Sequence, residues 1–184
     1  MALERESKAG DVSMASMRAP RDLVAFCTEQ MPRLSGAMAL FLGDPAIGAE
    51  IAQEALLRVC RDWEKVSVMD HPGPWLHRVA INLATSELRR RRAERRAMSR
   101  SVERPSLHEG DPSTGPAVRT ALATLSPDER AVIVLRYYAD LSVAETAGVL
   151  GVAEGTVKTR TRRAIARMRA TGLTADIDPE DQDA

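Results

Sequence analysis

The sequence has few cysteines, few aromatic residues and no long apolar run. Cys27 and Cys60 are the only cysteines in 184 residues, too few for a disulfide framework or a four-ligand zinc site. No stretch approaches the roughly 18 apolar residues that a membrane span requires. The N-terminus mixes acidic and basic residues where a secretory signal has an apolar run. The sequence therefore predicts a cytoplasmic protein without membrane insertion, a disulfide framework or structural zinc.

Signatures of catalysis are also missing. The three histidines, His71, His77 and His108, do not have the spacing of a metal site. There is no glycine-rich phosphate loop, no G-x-S-x-G turn and no cysteine paired with a positioned histidine. We expect no catalytic residues, no metal and no cofactor, and a nuclease or polymerase assay on the purified chain would test the enzyme alternative.

Charge is balanced overall but unevenly distributed. The chain has 26 basic and 26 acidic residues, so its formal net charge is zero. Residues 86–104 and 154–169 each carry a net charge of +5, whereas residues 170–184 carry five acids and no base. Because the local sign of the charge sets the field near a surface, two separated basic runs predict a polyanionic partner. The acidic tail is expected to compete with that partner for the basic faces.

Helical patterns dominate, and strand alternation is absent. Asp44 and Pro45 predict the start of a helix whose apolar positions recur at helical spacing, with Cys60 assigned to its core side. Ser126 and Ser142, each followed three residues later by glutamate, predict two capping boxes. An upstream helix is expected around residues 21–42, with Pro32 as a potential break. The sequence predicts an all-α fold.

Loss of periodicity divides the chain into two helical domains. Proline, glycine and serine cluster between Pro105 and Pro116, which is typical of a flexible linker. We predict a disordered N-terminus at 1–18, a first domain at 19–96, a linker at 97–117, a second domain at 118–170 and an acidic tail at 171–184. Met1, Met14 and Met17 are all candidate start residues.

Residues 143–169 have the layout of a helix-turn-helix. Ala147 is small where two helices must approach closely, Gly151 lies at the tight turn, and Val157 anchors the second helix. A helical wheel divides this second helix into two sides, one with Val157, Thr161, Ala164, Ile165 and Met168 and the other with Lys158, Thr159, Arg162, Arg163 and Ala166. Such a helix suits the major groove, where arginine and lysine donate to guanine O6 and N7.

Three blocks of the sequence resemble a known family, the extracytoplasmic-function group of bacterial RNA polymerase sigma factors. Region 4 of that family resembles residues 122–169, LATLSPDERAVIVLRYYADLSVAETAGVLGVAEGTVKTRTRRAIARMR. Region 2.2 resembles residues 41–63, FLGDPAIGAEIAQEALLRVCRDW, and regions 2.3–2.4 resemble residues 74–92, PWLHRVAINLATSELRRRR. The resemblance implies a fold with a sigma region 2 helical bundle and a sigma region 4 helix-turn-helix.

The resemblance also implies functional residues. The positions that match polymerase-binding residues of the family are Glu50, Gln53, Glu54 and Leu57. Asn82 matches an asparagine beside the pocket for a flipped −10 base, and Arg89, Arg90, Arg91 and Arg92 match the basic end of region 2.4. The readers and flanking cation of the −35 element would be Lys158, Thr159, Arg160, Arg162 and Arg163.

The resemblance implies three partners, which are core RNA polymerase, promoter DNA and, as a further candidate, an anti-sigma factor. The function would be promoter-specific initiation of transcription. The alternative is a stand-alone repressor or activator that binds duplex operators as a symmetric dimer. A shift of duplex DNA by the chain without polymerase would favour that alternative.

Overall fold

The computed structural model describes residues 21–98 and 115–173. The regular elements in these two ranges are all helical, and they include no strand. They are α1 (Arg21–Leu42), α2 (Pro45–Arg61), α3 (Trp63–Val66), α4 (Pro72–Met98), α5 (Pro116–Ala123), α6 (Pro127–Ile133), a π-helical turn (Val134–Tyr138), α7 (Val143–Leu150) and α8 (Glu154–Ala170). The predictions for residues 1–18, for most of the linker, for the acidic side chains of the tail and for the start residue lie outside the described residues.

Local capping chemistry fixes where three of the helices begin. The Asp44 side chain caps α2, as its position before Pro45 predicts. Ser126 and Glu129 form a reciprocal capping box at α6, and Ser142 and Glu145 form another at α7. In each box the serine hydroxyl accepts from a backbone N–H that would otherwise have no partner in the first turn.

The expected break at Pro32 does not occur, since α1 is continuous from Arg21 to Leu42. A proline inside a helix costs roughly 3 kcal/mol because it removes a hydrogen bond and crowds the preceding turn. Leu34, Met38 and Phe41 follow it on the buried face and are at most 2% exposed. Full burial of such side chains stabilises by about 1.5–3 kcal/mol each, which outweighs the penalty.

The assignment of Cys60 to the core is also wrong, because Cys60 is exposed. The buried positions of α2 are Gly48, Ala52, Ala55, Leu56 and Val59. Cys60 is one position beyond the last of these, and one helical residue turns a side chain by about 100°, away from the core.

The first module is a helical hairpin with a third long helix packed across it. A tight turn at Gly43, which has φ +74°, reverses the chain between α1 and α2. Gly48 lets the two helices approach, because a Cβ there would overlap the backbone of Ala39. Leu76, Ala80 and Ala84 of α4 are fully buried against this pair.

The second module, α5–α8, shares part of its core with the first. Val134, Leu135 and Val149 belong to the same buried cluster as the side chains of α1, α2 and α4. The hydroxyl of Tyr138 packs closely on Gly36 of α1, and a Cβ at position 36 would overlap it. The two helical domains of the prediction are therefore present and are packed directly against each other.

One partly buried arginine connects the two modules. The guanidinium of Arg130 donates to the carbonyl oxygen of Phe41, at the end of α1, with an N···O distance of 3.2 Å. It also donates to the carbonyls of Leu122, Ala123 and Leu125, which are at the end of α5 and just after it. One side chain thus satisfies backbone acceptors that a helix leaves without partners at its C-terminus.

Candidate nucleic-acid interface

Helices α7 and α8 and the turn between them form a helix-turn-helix. Gly151 ends α7 with φ +66°, and its N–H donates to the carbonyl of Ala147. That left-handed conformation favours glycine because it has no Cβ. Val157 is completely buried against Val132 and Ala147. The sequence prediction is therefore confirmed for all three residues. Ala147 lies where the helices approach closely, Gly151 forms the turn, and Val157 anchors α8 in the core.

Helix α8 is divided sharply into a buried back and an exposed front. The buried positions are Val157, Thr161, Ala164, Ile165 and Met168, the same five that the helical wheel places together. The exposed positions are Lys158, Thr159, Arg162 and Arg163, four of the five predicted −35 residues. A packed back with exposed donors on the front is the arrangement that a recognition helix needs.

Arg160 differs from the other four predicted readers. Its guanidinium pairs with Asp128 at the start of α6, with an N···O distance of 2.7 Å, and its side chain is 26% exposed. Farther along the same flank, Arg167 pairs with Glu129 at 3.2 Å. These two ion pairs join α8 to the first turn of α6.

Glu129 has a double role at this junction. Its carboxylate accepts from the backbone N–H and the hydroxyl of Ser126 and also faces Arg167. Burial of the side chain favours the neutral acid, but these hydrogen bonds and the nearby charges of Arg167 and Arg163 outweigh it, so the pKa of Glu129 lies below its ordinary value. The carboxylate therefore stays ionised and anchors α8 to α6.

The predicted −10 residues lie along the exposed side of α4. Asn82, Arg89, Arg90 and Arg92 are exposed, and Arg91 is partly buried. Arg90 pairs with Glu87 at 2.8 Å and with Glu94 at 2.6 Å, both on its own helix. Asn82 accepts a hydrogen bond from Ser86 at its backbone carbonyl.

Glu87 organises the middle of the arginine run. The hydrogen bond from Arg90, aided by one from Arg91 and by the charges of both, holds the pKa of Glu87 below its ordinary value against the opposing effect of desolvation. Its two partners point along the helix toward it at 2.8 Å each. Among the four arginines, Arg89 and Arg92 are therefore the ones directed toward solvent without an ion pair to a described carboxylate.

Arg91 connects α4 to the start of α2. Asp44 uses one carboxylate oxygen to accept from the backbone N–H groups of Ala46 and Ile47, at 3.1 and 3.2 Å. Its other oxygen lies 3.7 Å from the Arg91 guanidinium. Arg91 thus positions the two helices relative to each other, which the sequence does not reveal because the partners are far apart in it.

Arg78 is an exposed cation that the sequence reading overlooked. It precedes Asn82 by four residues on α4, and helical geometry places it within about 40° of Asn82 around the axis. The spacing of four residues between Arg78 and Asn82 in the sequence already indicates that the two side chains are neighbours on a helix. Arg78, Asn82 and Arg89 form one exposed face of α4.

The predicted polymerase-binding residues form an exposed stripe on α2. Glu50, Gln53, Glu54 and Leu57 are all exposed, opposite the buried side of the helix. Leu57 is 63% exposed, which is unusual for a leucine, and Glu54 pairs with Arg58 at 3.2 Å. An apolar side chain within a polar stripe is typical of a surface that meets another protein.

His77 lies on the buried side of α4. It is 5% exposed, and its Nδ1 has no hydrogen-bond partner among the described residues. Desolvation, helped by the charge of Arg33, lowers the pKa of His77 to about 4. The imidazole is therefore neutral near pH 7, as a packed helix requires.

Residues 21–98 and 115–173 contain no group of three or more His, Cys, Asp or Glu side chains able to hold a metal ion. No helix in the same ranges is long and apolar enough to cross a membrane.

Fold and exposed faces define a helix-turn-helix protein with a second, basic helical module. Residues 28–94 match the family described as Sigma-70 region 2, and residues 116–168 match Sigma-70, region 4. The RNA polymerase sigma-E factor of Streptomyces coelicolor is 33% identical over 136 residues, covering 73% of this chain and 77% of that protein. The chain belongs to the sigma-70 family of RNA polymerase sigma factors, in its extracytoplasmic-function group.

Two further proteins are similar to the chain. The ECF RNA polymerase sigma factor SigL of Mycobacterium tuberculosis is 36% identical over 141 residues, covering 70% of this chain and 76% of that protein. The sigma factor RpoE of Bartonella quintana, solved in complex with the anti-sigma factor NepR, superposes with a TM-score of 0.72 at 20% identity. That superposition covers 85% of this chain and 100% of RpoE, and it shows a shared fold.

Proposed function

We propose that this chain binds core RNA polymerase and directs it to promoters by reading a −35 and a −10 element. The observation that carries the proposal is the division of α8 into a packed back and a front of exposed donors, combined with family membership. Sigma factors as a class are initiation factors without chemistry of their own. The proposal therefore assigns the catalysis to the polymerase and none to this chain.

In the proposed −35 complex, α8 lies in the major groove. Lys158, Arg162 and Arg163 face base edges and phosphates, and Thr159 presents a hydroxyl that already donates to the carbonyl of Gly155. That hydroxyl keeps its acceptor capacity toward a base amino group. Arg160 acts mainly as a positioning residue, because Asp128 holds its guanidinium.

In the proposed −10 complex, Asn82 contacts an unpaired base of the non-template strand. An amide side chain suits this role because it offers both a donor and an acceptor to a base edge. Arg78, Arg89 and Arg92 supply positive charge to the strand backbone on either side of it. These phosphate contacts make the affinity decrease steeply with salt concentration.

The exposed stripe of α2 is proposed as the polymerase-binding surface. Glu50, Gln53 and Glu54 would pair with polar groups of the polymerase clamp, and Leu57 would insert between them. Because the opposite side of α2 holds the core of the first module, substitutions on the stripe leave the fold intact.

A test of this surface compares two variants in co-elution with core RNA polymerase. The double variant Gln53→Ala, Glu54→Ala should lose most of its binding while keeping the helical content of the parent. Glu64→Ala, which removes an exposed carboxylate from α3, is the matched control and should bind normally. Normal binding by the double variant would contradict the α2 assignment.

We further propose a cytoplasmic location, where core polymerase works, and an anti-sigma factor as a second protein partner. The second proposal is supported by the similar RpoE structure, which contains an anti-sigma factor. The competing function is a stand-alone operator-binding repressor. It predicts tight, sequence-specific binding of duplex DNA by the isolated chain, without polymerase.

A further inference from the structure

Two cysteines that are remote in sequence are neighbours in the fold. Cys27 is on α1 and Cys60 is on α2, 33 positions later, and their sulfur atoms lie 4.0 Å apart. The rings of Phe26 and Trp63 also bridge α1 and the start of α3, with centroids 5.7 Å apart and ring planes tilted by 48°. This contact and the α1–α2 core hold the two thiols in register.

The separation is short enough for a disulfide after small movements. A disulfide brings its sulfurs to about 2.05 Å, so these sulfurs must approach by roughly 2 Å. Rotation of one or both side chains about the Cα–Cβ bond moves a sulfur by a comparable distance. Cys60 is exposed and Cys27 is half-buried, so a small oxidant reaches the pair from the α2 side.

We propose that Cys27 and Cys60 are a reversible redox pair that closes to an intramolecular disulfide on reaction with a low-molecular-weight disulfide such as oxidised glutathione. The pair is separate from the DNA-binding faces on α4 and α8. Stable disulfides are rare in a reducing cytosol, where transient ones sense redox state.

The reaction proceeds in two exchange steps. The Cys60 thiolate attacks one sulfur of oxidised glutathione, forming a mixed disulfide and releasing one glutathione thiolate. The Cys27 thiolate then attacks Cys60 Sγ and displaces the second glutathione. The two protein thiols lose two electrons in total to oxidised glutathione, and their two protons end on the two released glutathione molecules.

The order of the steps follows from the surroundings of the two thiols. Desolvation, followed by the effect of neighbouring Cys60, raises the pKa of Cys27 to about 11. Since the thiolate is the nucleophile, Cys27 is a poor first attacker and acts second, on a sulfur already held beside it. Closure should accelerate as the pH rises.

The mixed disulfide on Cys60 would also affect the proposed polymerase-binding stripe, a consequence that depends on the function proposed above. Cys60 follows Leu57 by three residues, so it extends the exposed stripe by one helical turn. A glutathione attached to Cys60 would therefore cover the end of the surface proposed to meet the polymerase.

The test measures intact mass after the full chain is exposed to glutathione redox buffers. The native parent should lose two hydrogens and retain no glutathione. Cys27→Ser should retain one glutathione on Cys60, and Cys60→Ser should react roughly tenfold more slowly because its remaining thiol is half-buried. The parent unfolded in urea should close more slowly than the folded chain.

A parent that retains glutathione as Cys27→Ser does, or that links only between two chains, would overturn the proposal. Equal closure rates in folded and unfolded chains would do the same. The Cys27→Ser adduct should also bind core polymerase roughly tenfold more weakly than unmodified Cys27→Ser. If the disulfide forms but this adduct binds normally, the redox pair stands and the polymerase surface is assigned wrongly.

Discussion

The two basic helices, α4 and α8, present their charge in different ways. On α4 the ion pairs of Arg90 are local, since Glu87 and Glu94 are on the same helix. On α8, Arg160 and Arg167 pair with carboxylates of another helix, α6. Local pairs change the charge of one helix surface, whereas the pairs between helices also connect α8 to α6.

This difference separates cations available to DNA from cations used in the fold. Arg162 and Arg163 on α8, and Arg89 and Arg92 on α4, are exposed. A net charge counted along the sequence therefore overstates the number of free cations on both helices. Variants that change one helix or one kind of ion pair at a time test this difference.

The largest expected effect is a pH dependence of stability caused by the buried side of α4. That side contains His77, whereas the buried side of α8 contains no histidine. Because the pKa of His77 is about 4 when folded and about 6.5 when unfolded, the unfolded chain binds the extra proton between those values. The neutral His77 therefore contributes fully to the free energy of unfolding above pH 6.5. Protonation of the unfolded chain lowers that free energy by about 3 kcal/mol as the pH falls to 4.

Urea unfolding midpoints between pH 4 and 7 measure this effect. His77→Gln should remove most of the pH dependence in the upper part of this range, where few carboxylates titrate. Asn82→Ala, which changes an exposed side chain without a titrating group on the same helix, is the control and should follow the pH dependence of the parent. Parallel pH curves for the parent and His77→Gln would contradict the assignment.

The second effect distinguishes a proposed reader on α8 from a positioning residue. Arg162→Ala should weaken binding to a −35 duplex by about 1–3 kcal/mol, or roughly 5- to 150-fold, and relax one base position. Arg160→Ala should mainly lower stability, by less than about 1 kcal/mol, because its partner Asp128 is largely exposed. If Arg160→Ala and Arg162→Ala lost DNA specificity equally, the distinction between a positioning residue and a reader would be wrong.

The third effect tests whether ion pairs between helices matter more than local pairs. Glu129→Gln removes the charge that faces Arg167 and weakens a capping box, so we expect about 1 kcal/mol of destabilisation in urea unfolding. Glu94→Gln breaks only the local pair with Arg90, whose exposed charges are screened by water, so its effect should be clearly smaller. The comparison fails if the two variants are equally destabilised.

The smallest effect is a change in salt dependence on α4. Arg89→Ala should reduce the slope of log affinity against log salt for −10 strand DNA by about 1, since one phosphate contact is lost. Arg90→Ala should change the slope less, because Glu87 and Glu94 already neutralise that guanidinium. Fluorescence anisotropy in a salt series with polymerase present measures both slopes.

Features encoded by short-range spacing were predictable from the sequence. The capping boxes at Ser126 and Ser142, the turn at Gly151 and the buried back of α8 all depend on residues within one or two turns of each other. The break considered at Pro32 does not occur, because the burial of the side chains that follow it outweighs the cost of a proline inside a helix. Cys60 was assigned to the core because it adjoins the apolar stripe of α2, but it lies outside that stripe.

Contacts between distant segments were not predictable in this way. The packing of Tyr138 on Gly36, the bond from Arg130 to Phe41 and the pair between Arg91 and Asp44 join residues remote in sequence. No local period encodes such partners, so the shared core of the two modules became visible only in the fold. The residue-level DNA and polymerase assignments remain predictions.

The most direct test of the central claim is run-off transcription on fragmented genomic DNA by core RNA polymerase, with and without this chain. We predict discrete transcripts only when the chain is present, with start sites that share two upstream elements. No transcripts above the core-alone background, together with tight duplex binding by the isolated chain, would contradict a sigma factor and favour the repressor.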